Sequence, residues 1–265
     1  TGSVFKLCVA AAALEAGIDP LESYVCTGQI NCRGQTFHCH KADGHGALTM
    51  GEALSQSCNT YFIQLAAKVG AQNVFDMARS LGMGQPTALC DGMVSSAGVL
   101  PELDELLAVP AALANFSLGQ GSLLTTPVQI ALMTGAIVND GMFTPARLIQ
   151  RTTDINGQPF DHVSGEPVRV MSAKTASTLR SMMIGVIESG TAQPLTGGAG
   201  GKTATAQTGL LSKDGSRVTQ AWFTGFFPAE SPRFVVTILA EGGASGSRSA
   251  APVFAAVANA IAALP

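Results

Sequence analysis

Charged side chains are scarce in this sequence. Asp, Glu, Lys and Arg make up 12% of its 265 residues, which is about half the usual share, and the formal net charge is only −3. A chain with so few basic residues lacks the positive surface that nucleic-acid binding requires, so we expect no nucleic-acid partner. Because 46% of the residues are hydrophobic, the composition also excludes an intrinsically disordered chain.

Long apolar runs are lacking as well. The longest stretch without a charged residue, 106–139, is interrupted by prolines, glycines and polar amides. It therefore falls short of the ~18 clean apolar residues of a membrane span. No initiator methionine, basic segment or cleavage site precedes the first predicted helix, and we expect the chain to be a piece of a longer protein.

Helical patterns fill most of the sequence, and strand-like alternation follows late. The pattern predicts helices over 3–16, 48–56, 60–69, 73–81, 127–138, 172–188 and 250–264. It predicts strands over 202–208, 219–227 and 234–240, and hairpins or loops in the Cys-, His- and Gly-rich segment 24–46. Helices followed by consecutive strands indicate an α+β fold with an antiparallel β-sheet flanked by helices. Without an internal repeat or linker, residues 1–265 are expected to form a single domain.

The first motif with residues suited to catalysis is Ser3-Val4-Phe5-Lys6. Residues at i and i+3 lie on the same face of a helix, so the Lys6 amine can take a proton from the Ser3 hydroxyl. A lysine acts as such a base only where burial or neighbouring charge keeps it neutral. Alone, this spacing is common by chance and indicates little.

The second motif, Ser57-Cys58-Asn59, lies between two predicted helices. The hydroxyl of Ser57 can relay a proton to a leaving group, and the amide of Asn59 can hold a substrate carbonyl or the lysine. A helix N-cap explains the same residues equally simply, because serine and asparagine both fill that position well.

The third motif is Gly201-Lys202-Thr203-Ala204-Thr205, at the start of a predicted strand. A lysine and hydroxyl groups on an edge strand can hold a carboxylate, while backbone N–H groups face a reacting carbonyl. A phosphate-binding P-loop is the competing interpretation. It fails because Thr196 occupies the first glycine position and because the residues after Thr203 read as strand rather than helix.

Together and in this order, the three motifs are those of serine β-lactamases and penicillin-binding proteins. Over nearly its whole length the sequence resembles the transpeptidase domain of class B penicillin-binding proteins, the FtsI- and SpoVD-like group. Further stretches that resemble this family are 45–46, 119–121, 125–127, 139–141 and 221–226. The resemblance implies the sheet and helices described above together with an all-helical subdomain.

The resemblance also implies an activity and roles for individual residues. The activity is that of a peptidoglycan D,D-transpeptidase, in which stem peptides ending in D-Ala-D-Ala acylate a serine and an amine resolves the ester; D,D-carboxypeptidase activity is a possible side reaction. Ser3 would be the nucleophile and Lys6 its base. The other catalytic residues would be Ser57, Asn59 and Lys202, and the substrate-binding residues Thr203, Ala204 and Thr205.

Expectations about surroundings follow from the same resemblance. Partners would be peptidoglycan stem peptides and β-lactam antibiotics, and no cofactor or metal is expected. The full-length protein would be membrane-anchored and act with cell-wall synthesis partners at the extracytoplasmic face of the bacterial membrane. In this sequence the pedestal domain and anchor that the family places before the serine motif are absent, so the domain would be truncated at its N-terminus. Ala204 departs from the glycine that the family has at this position.

Two other functions remain open. A serine β-lactamase would need a device to discharge the acyl-enzyme with water, and no glutamate here has an asparagine four residues later, as the class A pattern requires. A β-lactam sensor or non-catalytic penicillin-binding module would be acylated without turnover of peptides.

The cysteines allow three interpretations. A zinc site among Cys26, Cys32, His38, Cys39, His40 and His45 is disfavoured, because the segment lacks a Cys-x-x-Cys pair and the usual finger spacing. Cys39 and Cys58 are a possible redox pair, with Cys26 or Cys32 as less favoured partners of Cys58. A buried Cys58 that packs as a small hydrophobic residue is the third possibility.

Overall fold

The structure is a computed structural model, and it describes residues 1–162, 165–189, 198–212 and 215–263. The helices in this part are α1 (Lys6–Glu15), α2 (Met50–Ser55), α3 (Asn59–Val69), α4 (Ala71–Ser80), α5 (Leu103–Ala108), α6 (Pro110–Ser117), α7 (Pro127–Val138), α8 (Ala173–Ser189) and α9 (Ala251–Ala262). A 3-10 turn, Gly2–Phe5, leads into α1, and a π-helical turn, Gly246–Ala250, leads into α9.

Six antiparallel sheets contain the strands of the described residues. The strands are β1 (Tyr24–Cys26), β2 (Gln29–Cys32), β3 (Gln35–His38), β4 (Gly46–Leu48), β5 (Ala88–Cys90), β6 (Met93–Val94), β7 (Met142–Phe143), β8 (Arg151–Thr153), β9 (Pro159–Asp161), β10 (Val168–Arg169), β11 (Gly200–Leu211), β12 (Arg217–Phe227) and β13 (Phe234–Glu241). The largest sheet has the order β11-β12-β13, and the others are two-stranded: β1-β4, β2-β3, β5-β6, β7-β10 and β8-β9.

Helices cover both faces of the three-stranded sheet. Successive side chains of a strand point to opposite faces, and on β12 Trp222 and Phe226 belong to the main hydrophobic core, whereas Ala221 and Phe223 belong to a second core that contains Phe254 of α9. The main core includes almost all of α1, whose residues Lys6–Ala13 are all buried, and α1 packs against α3, α4 and α8. The predicted α+β fold with an antiparallel sheet flanked by helices is confirmed.

The sequence pattern located the long elements well. The helix predicted over 127–138 has those bounds in the structure, and the three late strands are present, each longer than predicted. Residues 24–46 form the predicted hairpin-like pairs, β1 with β4 and β2 with β3. The helices α5 and α6 were not predicted. The helix expected over 250–264 is observed as the π-helical turn and α9, and residue 264 lies outside the described residues.

Candidate active site

Ser3 lies in the 3-10 turn that precedes α1, and its side chain is half-buried. The turn is held by the N–H of Gly2, which donates to the carbonyl oxygen of Gly119 at 2.8 Å. Gly119 has a φ of +69°, and a Cβ built there would meet the Gly2 carbonyl oxygen at 2.2 Å. Only glycine permits this approach of two backbones, which explains why the 119–121 segment lies beside the serine.

Lys6 begins α1 and is completely buried. Its Nζ donates to the backbone oxygen of Ser57 at 2.8 Å, to Oδ1 of Asn59 at 2.8 Å and to Oγ of Ser57 at 3.3 Å. Burial lowers the pKa of Lys6 to about 8, against a smaller opposing electrostatic effect of the neighbouring Cys58 and Cys39. A lysine in this state supplies a neutral amine close to physiological pH.

Ser57 lies in the turn between α2 and α3, and Asn59 is the first residue of α3. Ser57 has a φ of +51°, in the left-handed region that non-glycine residues rarely adopt, and Cys58 is the N-cap residue of α3. The Nδ2 of Asn59 donates to the backbone oxygen of His38 at 3.0 Å. The N-cap interpretation is wrong for Ser57 and Asn59, because the N-cap residue is Cys58 and its side chain makes no capping hydrogen bond. The side chains of Ser57 and Asn59 contact Lys6 and the hairpin segment instead.

The free edge of β11 faces the serine. A Cβ built on Gly2 would lie 3.2 Å from the carbonyl oxygen of Thr205, so that carbonyl points toward the 3-10 turn and away from β12. In an antiparallel strand the N–H and C=O of one residue point to the same side. The N–H of Thr205 therefore also points toward the turn that contains Ser3.

Lys202 lies behind this edge rather than on it. Its side chain is fully buried, and Nζ donates to the carbonyl oxygen of Thr203 at 3.1 Å. Burial, and then the charge of Lys6, hold the pKa of Lys202 well below its usual range. Of the lysine and hydroxyl groups expected to hold a carboxylate, Thr203 and Thr205 line the cleft and Lys202 is buried behind them.

These groups surround one cleft of about 700 Å³. Of the predicted residues, it is lined by Ser3, Ser57, Asn59, Thr203, Ala204 and Thr205, whereas Lys6 and Lys202 lie beneath its surface. Residues to which the sequence analysis gave no role in the site also line it: His40, Asn115, Leu118, Gln120, Gly121, Gln207, Thr208, Gly209, Gly246 and Ser247. Gln120 and Gly121 fall in a stretch that resembles the family, which was the available signal.

The structure accommodates alanine at position 204. Ala204 is only 5% exposed and belongs to the main core. The close backbone approach at this point of β11 is made by Gly246 instead, where a built Cβ would lie 2.6 Å from the Ala204 oxygen and 2.8 Å from its nitrogen.

We expect Ala204→Gly to acylate at nearly the parent rate and to be less stable. The substitution removes one buried methyl group and adds backbone freedom to a strand, which together cost about 1–2 kcal/mol. Urea denaturation measures the loss, and the rate of acylation by a fluorescent penicillin provides the comparison. A large gain in rate would show instead that the methyl group narrows the cleft.

The structure places Cys39 and Cys58 side by side as free thiols. Their Sγ atoms are 4.0 Å apart, whereas a disulfide requires about 2.05 Å. The hydrogen bond between them lowers the pKa of Cys39 and raises that of Cys58. The predicted redox pairing stays a prediction, and the pairing of Cys58 with Cys39 rather than Cys32 is the one that the arrangement favours.

Comparisons with known proteins point in one direction. A family model described as "Penicillin binding protein transpeptidase domain" matches residues 1–259. "Penicillin-binding protein PbpB" of Mycolicibacterium smegmatis is 35% identical over 97% of this chain and 42% of its own length. "Peptidoglycan D,D-transpeptidase PbpA" of Mycobacterium tuberculosis is 29% identical over 97% and 53%. "Stage V sporulation protein D" of Bacillus subtilis is 30% identical over 89% and 36%.

A solved structure extends the likeness to the fold. Penicillin-binding protein A of M. tuberculosis, as an imipenem acyl-enzyme complex, superposes with a TM-score of 0.85 at 27% identity, over 98% of this chain and 59% of that chain. The chain thus spans about half or less of the length of the curated relatives it matches. Among the helices of the described residues, none is long and apolar enough to cross a membrane.

Proposed function

The chain belongs to the penicillin-binding protein transpeptidase family, in the group that includes PbpB and the sporulation protein D, and from this premise we propose that it is a peptidoglycan D,D-transpeptidase. Its donor substrates are stem peptides that end in D-Ala-D-Ala, and β-lactam antibiotics acylate the same serine. The observation that carries the proposal is the arrangement of Lys6, which is buried, hydrogen-bonded to Ser57 and Asn59, and adjacent to a cleft that Ser3 lines.

Acylation begins at Ser3. Its Oγ attacks the carbonyl carbon of the penultimate D-alanine, and the terminal D-alanine leaves as an amine. The hydroxyl proton passes to the neutral amine of Lys6, one helical turn away on the same face. Resolution reverses the proton path when the amine of a second stem peptide attacks the ester.

Ser57 is placed to relay the proton to the leaving group. A neutral lysine amine has two N–H donors and one lone pair. The two donors match the 2.8 Å contacts to the Ser57 carbonyl and the Asn59 amide oxygen, so the lone pair is left for a hydroxyl hydrogen. Once Lys6 has taken the Ser3 proton, its third N–H matches the 3.3 Å contact to Ser57 Oγ, a hydroxyl of a residue that lines the cleft. Ser57 can thus carry the proton from Lys6 to the departing amine.

The charge that develops on the attacked carbonyl oxygen is stabilised by backbone N–H groups. The resemblance to the family assigns this role to the N–H groups of Ser3 and Thr205, and the Thr205 backbone lies beside the turn that contains Ser3. A donor in such a position contributes about 3–4 kcal/mol to the transition state. The free edge of β11 also suits an extended peptide, which can add to the sheet as a further strand. Thr203 and Thr205 then supply hydroxyl groups to the substrate carboxylate.

We expect the purified chain to form one stoichiometric covalent adduct with a labelled penicillin, visible in its intact mass. With a D-Ala-D-Ala peptide and an amine acceptor, it should release D-alanine and form the cross-linked product. Adduct formation without either product would favour a sensor or binding module, and rapid loss of the adduct to water would favour a β-lactamase. Absence of any adduct in folded protein would contradict the proposal.

The cellular location of the whole protein is inferred from its relatives. They act in cell-wall synthesis, which takes place outside the cytoplasm. We infer an extracytoplasmic site of action, with residues 1–265 as one transpeptidase domain of a longer, membrane-anchored chain that works with other cell-wall synthesis proteins. Fractionation of cells that express the tagged full-length protein tests the location.

A further inference from the structure

A cluster of four metal-ligand side chains lies beside the active-site turn. Its members, called the Cys3His cluster here, are Cys26, Cys39, His45 and Cys58. Their sulfur and Nδ1 atoms all lie within 4.8 Å of one another. The three cysteines are 0–7% exposed and His45 is half-buried. Cys32, His38 and His40, which the sequence also suggested as ligands, are not members.

The spacing within the cluster fits a tetrahedral metal ion. Zinc bonds of about 2.3 Å to sulfur and 2.1 Å to nitrogen place tetrahedral ligand atoms roughly 3.6–3.8 Å apart. The Nδ1 of His45 is 3.5 Å from the sulfur of Cys26 and 3.5 Å from that of Cys39. The sulfurs of Cys39 and Cys58 are 4.0 Å apart. Shifts of a few tenths of an ångström bring these atoms to coordinating distance.

The backbone around the cluster is tightly built. Cys26 ends β1 and pairs in register with Gly46, so that the β1-β4 pairing brings it beside His45. Gly44 has a φ of +79°, and a Cβ there would lie 2.1 Å from the Cys26 oxygen. The N–H of Cys39 donates to the Gly28 oxygen at 2.8 Å. These contacts fold the 39–45 loop onto the end of β1, and the fourth ligand comes from the N-cap of α3.

We propose that the Cys3His cluster binds one Zn²⁺ ion as a structural site, which ties the hairpin segment 24–46 to the turn that holds Ser57 and Asn59. Three thiolates and one imidazole are a ligand set that zinc prefers, and four protein ligands leave no open position for a substrate. On binding, each thiol releases its proton to solvent. With a neutral imidazole, one divalent cation and three thiolates give the occupied site a net charge of −1.

The metal site would affect catalysis by holding the active-site residues next to Cys58 in position. Cys58 stands between Ser57 and Asn59, and a metal bond to its sulfur would hold the turn in which Ser57 has a left-handed backbone. The hydrogen bond from Asn59 to the His38 oxygen joins the same two segments. Cys58 is thus a positioning residue, and this second part of the inference rests on the proposed function, whereas the metal site itself does not.

The metal is tested without reference to activity. Chain purified under reducing conditions, without chelator, should contain about one zinc per molecule by elemental mass spectrometry. Replacement with Co²⁺ should give thiolate-to-metal charge-transfer absorption and the visible bands of a tetrahedral site. Cys26→Ser and His45→Ala should each lower zinc occupancy at least about tenfold at a fixed free-zinc concentration. Cys32→Ser is the matched control in the same hairpin segment and should bind like the parent.

The coupling to the active site is tested in parent protein, so that misfolding of a variant cannot decide the result. Removal of zinc by a chelator under reducing conditions should slow acylation by a fluorescent penicillin roughly tenfold or more, with unchanged far-ultraviolet circular dichroism. Added Zn²⁺ should restore the rate and Mg²⁺ should not. A parent protein that binds neither Zn²⁺ nor Co²⁺ in reductant, or that retains zinc with a Cys39–Cys58 disulfide, would overturn the metal site. Equal acylation rates with and without zinc would overturn the coupling alone.

Discussion

Ser3→Ala is expected to abolish covalent labelling by penicillin while leaving the fold intact. Ser3 lines the cleft, lies one helical turn before Lys6, and belongs to the 3-10 turn that packs beside the backbone of Thr205. Its Oγ makes no hydrogen bond within the described residues, so the change should alter stability by no more than about 0.5 kcal/mol. Intact mass after incubation with a labelled penicillin gives the result.

The experiment also separates two serines. Ser57 lines the same cleft, and its Oγ, rather than that of Ser3, contacts Lys6 Nζ in this structure. If Ser57 were the nucleophile, Ser3→Ala would still be labelled and peptide mapping would locate the adduct on the 57-containing peptide. Ser181→Ala, an exposed serine of α8 whose hydroxyl bonds only locally to the Ser177 oxygen, is the matched control and should label fully.

The sequence predicted those elements whose signals are local. The bounds of α7 follow from Pro127 at its first position and from the capping box of Thr126 and Gln129, all adjacent in sequence. The late strands follow from apolar alternation and their antiparallel order from short connections. By contrast, α5 has six residues and α6 has eight. Helices this short contain too few turns for a helical pattern of apolar residues to be recognised in the sequence.

In the active site, too, contacts between residues close in sequence were predictable and contacts between distant residues were not. The Ser3–Lys6 pair is predictable because its members are three residues apart, whereas the hydrogen bonds from Lys6 to Ser57 and Asn59 join residues separated by 51 and 53 positions. Spacing carries no information about such contacts; the chemistry of the Asn59 amide offered the lysine as one of two partners, and the resemblance to a family placed Ser57 and Asn59 in the same site as Lys6. The burial of Lys202 was likewise invisible, because a lysine is usually exposed and only the packing of β11 shows otherwise.

The Cys3His cluster shows most clearly that sequence spacing does not predict which side chains lie together in the structure. A zinc site was disfavoured because the segment 24–46 has no Cys-x-x-Cys pair. In the structure, β1-β4 pairing brings Cys26 to His45, and the fourth sulfur or nitrogen atom of the proposed site belongs to Cys58, 19 residues beyond Cys39. Ligands contributed by three separate elements follow from topology, which a search for paired motifs cannot detect.

Lys6→Ala is expected to slow acylation by penicillin at least ~10²-fold, the usual effect of removing a positioned base. The change also withdraws the donor from the Ser57 carbonyl and from Oδ1 of Asn59, both 2.8 Å from Nζ. A buried acceptor left without a donor costs about 1–3 kcal/mol, so this variant should also melt at a lower temperature. Stopped-flow labelling and thermal denaturation measure the two effects separately.

Lys6→Met distinguishes loss of the base from loss of packing, because it keeps the aliphatic volume and removes only the amine. Since the burial of an ammonium group is itself costly, Lys6→Met should recover part of the stability that Lys6→Ala loses. Its acylation rate should nevertheless remain at least ~10²-fold below that of the parent. Lys68→Ala, which removes an exposed lysine paired with Glu22, is the control for loss of a lysine and should acylate normally. If Lys6→Met regained the parent rate along with its stability, Lys6 would be a packing residue, and the proton of Ser3 would have to leave by another route.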